Sequence, residues 1–582
     1  MVRALYSDGQ WKDVTWLAQF DSNDASVATV NPAGLVHMAR PGETAVRAAF
    51  QGQVAVVVMT APYDQSVRAE LLAGRNNFID EPVFRKLAAL RIEPSDLCGD
   101  ETFLRRVFLD AIGALPTPEE VRTFLADNRS DKRARWIDQL LERPEFIDFW
   151  ALELSDLFQN RKESDHDVRG PKGVRSFHEW LRHQVAINRP WDQLCRDVLT
   201  AKGKSTESPA VGYFIVTVGE QRHADQSTVP ASVAQALLGT RIGCAQCHNH
   251  PLEKYTQDDY FHFAGFFSRI KLERKESRFG PTSLVVSAPD ANQNKNPVGV
   301  NQPRTGQFLK PRPLDRSSLD VKPGDDPRVA LAAWMTDPKN EAFAGAMVNR
   351  LWAHFLGAGL VEPTDDLRAS NPPTNPALWK ALVSEFIAHK YDRKYMIRLI
   401  LNSRTYQLSS ATQPGNEKDT RCYSHYYARR LPAEVLLDAI ASGTGVPDSF
   451  PGYPLGLRAV QVPDPALKSY FLSLFGRPER ITACACERTG DVTMPQLLHL
   501  QNGEALIQKI ASPQGRLAAL LQAKKPDTAI IDEVFLATLC RLPTAAEWAT
   551  IQRIFAEGDG REMVLRDVFW AVLNSKEFAF NH

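Results

Sequence analysis

The sequence contains one short run of residue types that could bind a cofactor covalently, Cys244-Ala245-Gln246-Cys247-His248. The C-x-x-C-H pattern is typical of c-type haem attachment, in which the two thiols carry the haem and the histidine ligates its iron. With 8 Cys and 13 His in 582 residues, chance gives about 0.0025 such runs. We therefore interpret this run as functional.

We expect the three side chains to lie on one face of a helix. The segment 231–248 reads as helical, and Pro230 before it suits a first helical turn. Helix positions three and four apart share a face. Cys244, Cys247 and His248 would then approach the same flat cofactor, with His248 as the proximal iron ligand.

Two further features bear on a haem at this place. Met494 and His262 are the candidates for the sixth iron ligand. A second helix is predicted to start at Thr256, because Asp259 completes a capping box there. This helix carries an apolar face that could border the haem or simply belong to the core: Tyr260, Phe263, Ala264 and Phe267.

The residues also allow readings without haem. Zinc needs about four ligands of Cys, His or carboxylate type, and the pair Cys484 and Cys486 or the nearby His250 could supply them. In an oxidising compartment the cysteines could instead form disulfides. A thioredoxin-like site is disfavoured, because no βαβ pattern surrounds Cys244. Haem c, a zinc or other metal site, and structural cysteines all remain open.

Charged residues are concentrated in two other segments, one of them around the second cysteine pair. They could hold haem propionates or anionic glycan groups through arginine, or they could form a buried ion-pair network. The residues concerned are Asp365, Asp366, Arg368, Arg477, Arg480, Glu487 and Arg488.

The N-terminal segment predicts a small β module. Between residues 16 and 61, short runs of alternating apolar and polar residues are separated by turn residues, such as Gln51-Gly52. Period-2 alternation interrupted by Gly and Pro favours an antiparallel sandwich.

After a linker near residues 62–75 the pattern becomes helical. Thr117, Pro118 and Glu120 form a strong helix-start signal with a capping box. A similar signal recurs near the C-terminus at Thr544 and Glu547. We predict two related helical units that bracket the body of the chain.

Composition limits the class of protein. The 582 residues are enough for about three to five folding units, and 69 basic residues balance 69 acidic ones. This charge balance gives no overall attraction to nucleic acid, and the longest apolar run, 54–61, is too short to span a bilayer. Residues 1–8 show no signal peptide. The segment 281–328 is rich in Pro, Asn and Gly and predicts a linker.

Extended parts of the sequence resemble known families. The segments 237–251 and 255–260 closely resemble the planctomycete cytochrome c family, a domain of unknown function in large secreted proteins. Nine further segments of the chain resemble the uncharacterised partner domain of that family: 349–352, 357–361, 365–368, 371–373, 403–410, 429–434, 475–480, 484–488 and 574–578. Residues 7–61 resemble the bacterial Ig-like group 2 family, in which a further strand precedes this segment, so we expect a truncated first domain.

These resemblances imply an order of domains. We expect an Ig-like domain at 1–62, a cytochrome c-like helical domain at 76–280, a linker at 281–328 and a helical partner domain at 329–582. They also imply a secreted or periplasmic protein with covalently held haem, although they supply no reaction. In the partner domain the C-x-C-E-R segment allows a rival arrangement, in which four cysteines converge as one metal or disulfide cluster: Cys244, Cys247, Cys484 and Cys486.

The resulting functional prediction is an extracytoplasmic c-type haem protein, either an electron relay or the redox part of an oxidoreductase. The alternative is a non-haem surface or carbohydrate-associated protein whose cysteines are structural or bind a metal. A polysaccharide hydrolase is a third reading, supported only by pairs of acidic residues. The partner would be a redox protein or a cell-surface glycan or protein, and whether the chain is an enzyme stays open.

Overall fold

The computed structural model describes residues 1–162, 170–205, 207–219, 223–250, 253–275, 283–287, 297–322, 324–488, 490, 492–557 and 560–582. It confirms the predicted fold class, an N-terminal module of antiparallel strands followed by two mainly helical regions. The Asn-rich part of the predicted linker, 292–296, lies outside the described residues.

The N-terminal module consists of small antiparallel sheets. Its strands are β1 Arg3–Leu5, β2 Trp11–Asp13, β3 Gln19–Ser22, β4 Ala28–Val30, β5 Val36–Met38, β6 Gly42–Phe50 and β7 Gln53–Ala61. Strand β1 pairs with β2, β4 pairs with β5, and β6 lies between β3 and β7. The predicted turn at Gln51 and Gly52 joins β6 to β7, and both residues have positive φ angles, as a tight two-residue hairpin turn requires.

The first helical region contains ten helices among the described residues and a small sheet. The helices are α1 Asp80–Leu90, α2 Asp100–Ile112, α3 Pro118–Ala126, α4 Lys132–Leu141, α5 Pro144–Leu157, α6 Pro171–Ala186, α7 Trp191–Leu199, α8 Gly212–Val218, α9 Val229–Leu238 and α10 Gln257–Ala264. The sheet is formed by β8 Gly203–Lys204, β9 Lys271–Lys275 and β10 Ser283–Ser287.

The second helical region follows a short hairpin, β11 Val300–Asn301 with β12 Phe308–Leu309. Its helices are α11 Pro327–Met335, α12 Glu341–Leu356, α13 Pro376–Ala388, α14 Arg393–Leu401, α15 Ala433–Thr444, α16 Tyr470–Leu474, α17 Met494–Asn502, α18 Glu504–Ala511, α19 Arg516–Gln522, α20 Asp527–Leu539, α21 Ala545–Glu557, α22 Arg561–Leu573 and α23 Lys576–Ala579. Strand β13 Arg429–Arg430 pairs with β14 Phe580–Asn581.

Local signals fixed the helix starts as expected. Thr117 accepts the backbone N–H of Glu120, and the Glu120 side chain accepts from the Thr117 backbone. Thr544 and Glu547 make the same reciprocal pair at the start of α21. Both predicted capping boxes are therefore confirmed.

The two helical regions share one hydrophobic core, which extends from Ile79 to Phe578. Buried arginines of α2 cross from one region to the other: Arg105 donates to the carbonyls of Phe578 and Phe580, over 2.7 and 2.9 Å. Of the helices in the described residues, none combines the length and the apolar composition that crossing a bilayer requires.

Candidate functional site

The C-x-x-C-H run lies outside a regular helix, so the prediction of one helix over 231–248 is wrong. Helix α9 ends at Leu238, because Gly239 adopts a left-handed conformation with φ 60°. A Cβ atom at Gly239 would approach the Leu367 side chain to 2.9 Å, so any other residue here would force Leu367 to shift. The chain then forms a 3-10 turn over Gly243–Gln246.

Backbone hydrogen bonds of this turn fix the chain around the three predicted residues. The backbone N–H groups of Cys247 and His248 both donate to the Cys244 carbonyl, over 3.4 Å. Ala245 is fully buried and anchors the turn, whereas the side chains of Cys244, Cys247 and His248 are exposed. Both cysteines are free thiols. Two thiols and one imidazole thus project from a single fixed turn.

The orientation of the His248 ring suits metal ligation. Its Nδ1 lies 2.7 Å from the carbonyl oxygen of Asn249. Because a carbonyl only accepts, Nδ1 must donate its proton, so the neutral ring keeps its lone pair on Nε2. Iron-ligating and zinc-ligating histidines usually have their second ring nitrogen held in this way.

Helix α10 fixes the turn from the other side. The Gln257 side-chain amide donates to the carbonyls of Gln246 and Cys247, over 3.0 and 3.2 Å. The predicted capping box of Thr256 and Asp259 is confirmed. Ion pairs from the segment after β12 hold the buried Asp259 carboxylate: Arg312 at 3.0 Å and Arg316 at 2.9 Å.

The aromatic residues of α10 and of the turn after it belong to the core. Helix α10 ends at Ala264, so Phe267, expected on the same helix, lies in the following turn Gly265–Phe267. Tyr260, Phe263 and Phe267 are all buried, and Phe263 and Phe267 pack edge to face. Burial raises the pKa of Tyr260 to about 12. His262, one candidate sixth ligand, is engaged through Nδ1 with the Lys310 carbonyl at 2.6 Å.

The segment after the turn reaches the second helical region. Glu253 accepts from the Ser370 hydroxyl over 2.6 Å and from its backbone N–H over 3.2 Å. His250 is half-buried, and this burial lowers its pKa below the ordinary value. The charged neighbours of His250 include Glu253, Arg368 and Asp366. The haem-type motif therefore lies next to the boundary between the two regions.

The second cysteine pair is separate from the first. Cys484 and Cys486 are bonded to one another, while Cys244 and Cys247 remain free thiols. Across the part of the chain that the structure describes, no three His, Cys, Asp or Glu side chains are placed to hold a metal ion. The four cysteines are thus not brought into one cluster.

Arg241 connects the two cysteine motifs. It lies three residues before Cys244, and its Nη2 donates to Cys484 Sγ over 3.4 Å. The same nitrogen donates to the buried Asp365 carboxylate over 2.5 Å, and Gln235 donates to the other oxygen of Asp365 over 2.6 Å. Asp365, one of the charged residues singled out in the sequence, positions this arginine.

The arginines around the C-x-C pair form ion pairs with carboxylates of the protein. This is the ion-pair network that the sequence suggested as the alternative to binding haem propionates or glycan groups. The Asp156 carboxylate of α5 accepts from Arg480 over 2.7 Å and pairs with Arg488 at 2.6 Å. Arg488 also reaches the buried Glu434 over 2.9 Å. Because Arg480 and Arg488 flank the cysteines in sequence, one carboxylate holds both ends of the C-x-C loop.

A cavity of about 410 Å³ lies between the two helical regions beside this loop. Its lining includes Arg350, His354, Arg429 and Cys484. Next to it, the buried Asp110 carboxylate accepts from the residues Tyr406, Tyr426, Arg429 and Asn581.

Sequence reasoning missed Asp110 and His354. The segments containing Arg241, Arg350 and Arg429 were marked only by the family resemblance. Met494, the other candidate sixth ligand, starts α17, and 67% of it is exposed.

Comparison with known proteins identifies two families in the chain. Residues 78–272 match the family model PSCyt2, described as a protein of unknown function (DUF1549). Residues 327–555 match the model PSD1, also described as a protein of unknown function (DUF1553). No curated protein and no solved structure matches the chain.

Proposed function

We propose that this chain, which belongs to the PSCyt2 and PSD1 families and carries the two domains in that order, is an extracytoplasmic c-type haem protein. Cys244 and Cys247 would hold the haem through thioethers, and His248 would ligate its iron. One observation carries the proposal: two free, exposed thiols and an exposed imidazole project from one turn, and the His248 Nδ1 is already committed to a backbone carbonyl.

The donor set fits a haem of this type. Bound haem would supply an iron centre that takes up and releases one electron. His248 orients its Nε2 for ligation because its other nitrogen is held by the Asn249 carbonyl. Gln257 keeps the turn in place through the carbonyls of Gln246 and Cys247. Such fixed positioning favours an electron relay or the redox part of an oxidoreductase.

The second cysteine pair supports an extracytoplasmic location. Disulfides persist in oxidising compartments and are rare where thiols are kept reduced, and Cys484 and Cys486 are joined. The partner would then be a redox protein of the same compartment.

The alternative function is a non-haem surface or carbohydrate-associated protein with structural or metal-binding cysteines. Its supporting observation is that Cys244 and Cys247 remain free thiols, which a metal could use together with ligands from a partner. Zinc binding would require Nε2 of His248 and further donors.

The test is haem content after expression behind a secretion leader in a host with cytochrome c maturation. We expect a pyridine haemochrome spectrum that corresponds to one haem per chain, and less than a tenth of this in the variant Cys244→Ser/Cys247→Ser. The matched control is Cys422→Ser, which removes a free thiol elsewhere. A folded, haem-free product with stoichiometric zinc would favour the alternative.

A further inference from the structure

The C-x-C disulfide has an asymmetric environment. Cys486 is exposed, whereas Cys484 is half-buried and lines the cavity between the two helical regions. Two donors converge on the sulfur of Cys484: Nη2 of Arg241 at 3.4 Å and the backbone N–H of Cys486 at 3.2 Å. A guanidinium and an N–H group directed at one sulfur stabilise the negative charge of a thiolate there.

The position of Arg241 is built into the fold. Asp365, which is fully buried, accepts from Arg241 and from Gln235. The Nε atom of Arg241 is buried and makes no hydrogen bond. Asp365 therefore does not use all the hydrogen-bond donors of the guanidinium. This cation is therefore held beside Cys484 and remains available to a charge that develops on its sulfur.

The loop that carries the disulfide is fixed at several points. Asp156 holds Arg480 and Arg488 on either side of it. Within the loop, Glu487 accepts the backbone N–H of Thr482 over 2.5 Å, and the Thr482 hydroxyl accepts the N–H of Cys484 over 3.2 Å. After reduction the two thiols would stay close together, which favours reversible chemistry.

We propose that Cys484–Cys486 is a redox-active disulfide that oxidises a dithiol substrate, independently of haem binding. A substrate thiolate attacks Sγ of the exposed residue Cys486, forms a mixed disulfide and breaks the bond to Cys484. Cys484 leaves as a thiolate paired with Arg241. The second thiol of the same substrate molecule then attacks the substrate sulfur of the mixed disulfide. This step forms the substrate disulfide and releases Cys486 as a thiol. The substrate loses two electrons and becomes a disulfide, and the protein gains a dithiol.

The substrate class is a peptide or small molecule with two closely spaced thiols. A single thiol could form the mixed disulfide but would need a second molecule to complete the exchange. Cys486 is an exposed residue and Cys484 is the one that lines the cavity, so reaction at Cys486 needs no entry into the cavity. One dithiol is consumed per chain in this half-reaction.

The test begins with the folded, full-length protein, whose free thiols are blocked with N-ethylmaleimide. The protein is then equilibrated with dithiothreitol redox buffers, labelled with iodoacetamide and mapped by mass. We expect reversible reduction of Cys484–Cys486 without denaturant. In Arg241→Gln the equilibrium constant for reduction should fall about tenfold, which corresponds to a potential lower by about 30 mV.

A matched control removes another arginine near this loop. Arg477 donates to the Leu467 carbonyl rather than to sulfur, so Arg477→Gln should leave the equilibrium within about twofold. Reduction that requires denaturant, or equal values for Arg241→Gln and the parent protein, would overturn the proposal.

A second measurement covers the case in which Arg241→Gln does not fold. In Cys486→Ser, the rate of Cys484 alkylation is followed against pH by mass mapping, which separates Cys484 from the other cysteines. We expect the pKa of the Cys484 thiol to lie below its ordinary value of about 8.5. A value at or above 8.5 would contradict the role of Arg241, whatever the haem content of the protein.

Discussion

The guanidinium of Arg241 donates a hydrogen bond to the sulfur of Cys484, although 243 residues separate the two in sequence. This contact places the C-x-C disulfide of the PSD1 domain beside the residues that lead into the C-x-x-C-H turn of the PSCyt2 domain. The two cysteine motifs therefore lie on either side of one boundary between domains, and Asp365 of the PSD1 domain holds Arg241 at this boundary.

Asp156 should matter for stability because it holds two arginines. Replacing it in Asp156→Asn leaves the buried Arg480, of which only 3% is exposed, without its carboxylate. We expect the free energy of unfolding in urea to fall by about 3 kcal/mol. The control Asp138→Asn removes a carboxylate from an exposed pair with Arg398 and should cost less than about 1 kcal/mol. Equal losses of unfolding free energy in the two variants would contradict the stabilising role of Asp156.

The capping box of α3 gives a smaller and well-defined effect. Thr117→Ala removes the side chain that accepts the Glu120 N–H, which should lower the free energy of unfolding by about 1 kcal/mol. Thr123→Ala lies on an exposed position of the same helix and serves as the control. Thermal unfolding of both variants measures the difference. An unfolding midpoint of Thr117→Ala no lower than that of Thr123→Ala would contradict the assignment of Thr117 as the cap of α3.

Stability should also depend on pH through His178. Burial, together with the nearby Arg480 guanidinium, lowers the pKa of His178 from 6.5 to about 4. The unfolded chain therefore binds a proton at this residue below pH 6.5 while the folded protein does not. The free energy of unfolding should fall as the pH decreases from 6.5 to 4, with a contribution on the order of 3 kcal/mol.

The variant His178→Asn isolates this contribution. It removes the titrating group, so the loss of stability between pH 6.5 and pH 4 should be smaller than in the parent protein. His183 is exposed on the same helix, and His183→Asn should keep the full dependence. Urea unfolding at a series of pH values makes the comparison, and identical slopes for the two variants would refute the role of His178.

Met494 remains the predicted sixth iron ligand. It is largely exposed at the start of α17, so its thioether is accessible. With haem bound, Met494→Ala should abolish the sulfur-to-iron charge-transfer band of the oxidised protein and lower the reduction potential, while one haem per chain is retained. The control is Met563→Ala, which is 47% exposed on α22. An unchanged spectrum would contradict ligation by Met494 and leave His262 as the candidate sixth ligand.

Local signals explain which parts of this fold were predictable. The capping boxes at Thr117, Thr256 and Thr544 depend on residues three positions apart, so the sequence marks them directly. The alternating pattern of the N-terminal strands and the turn at Gln51 are local in the same sense.

One error concerns a local signal, and the others arise where distant segments meet. Gly239 ends α9 in a left-handed conformation, and glycine is the residue most common at this position after a helix, but the interpretation of 231–248 as one helix passed over it. Arg241, Asp365 and Cys484 meet only in the folded chain, because 124 and 243 residues separate Arg241 from its two partners. Such contacts follow from how the two domains pack and not from any local spacing.

Peptide mass mapping after trypsin digestion tests the central claim most directly. Cleavage after Arg241 and Lys254 releases residues 242–254 with the C-x-x-C-H motif, and cleavage after Arg480 and Arg488 releases residues 481–488 with the C-x-C pair. The account predicts one haem on the first peptide and an internal disulfide on the second. A first peptide with two unmodified thiols, or one joined to the second peptide through a disulfide, would contradict it.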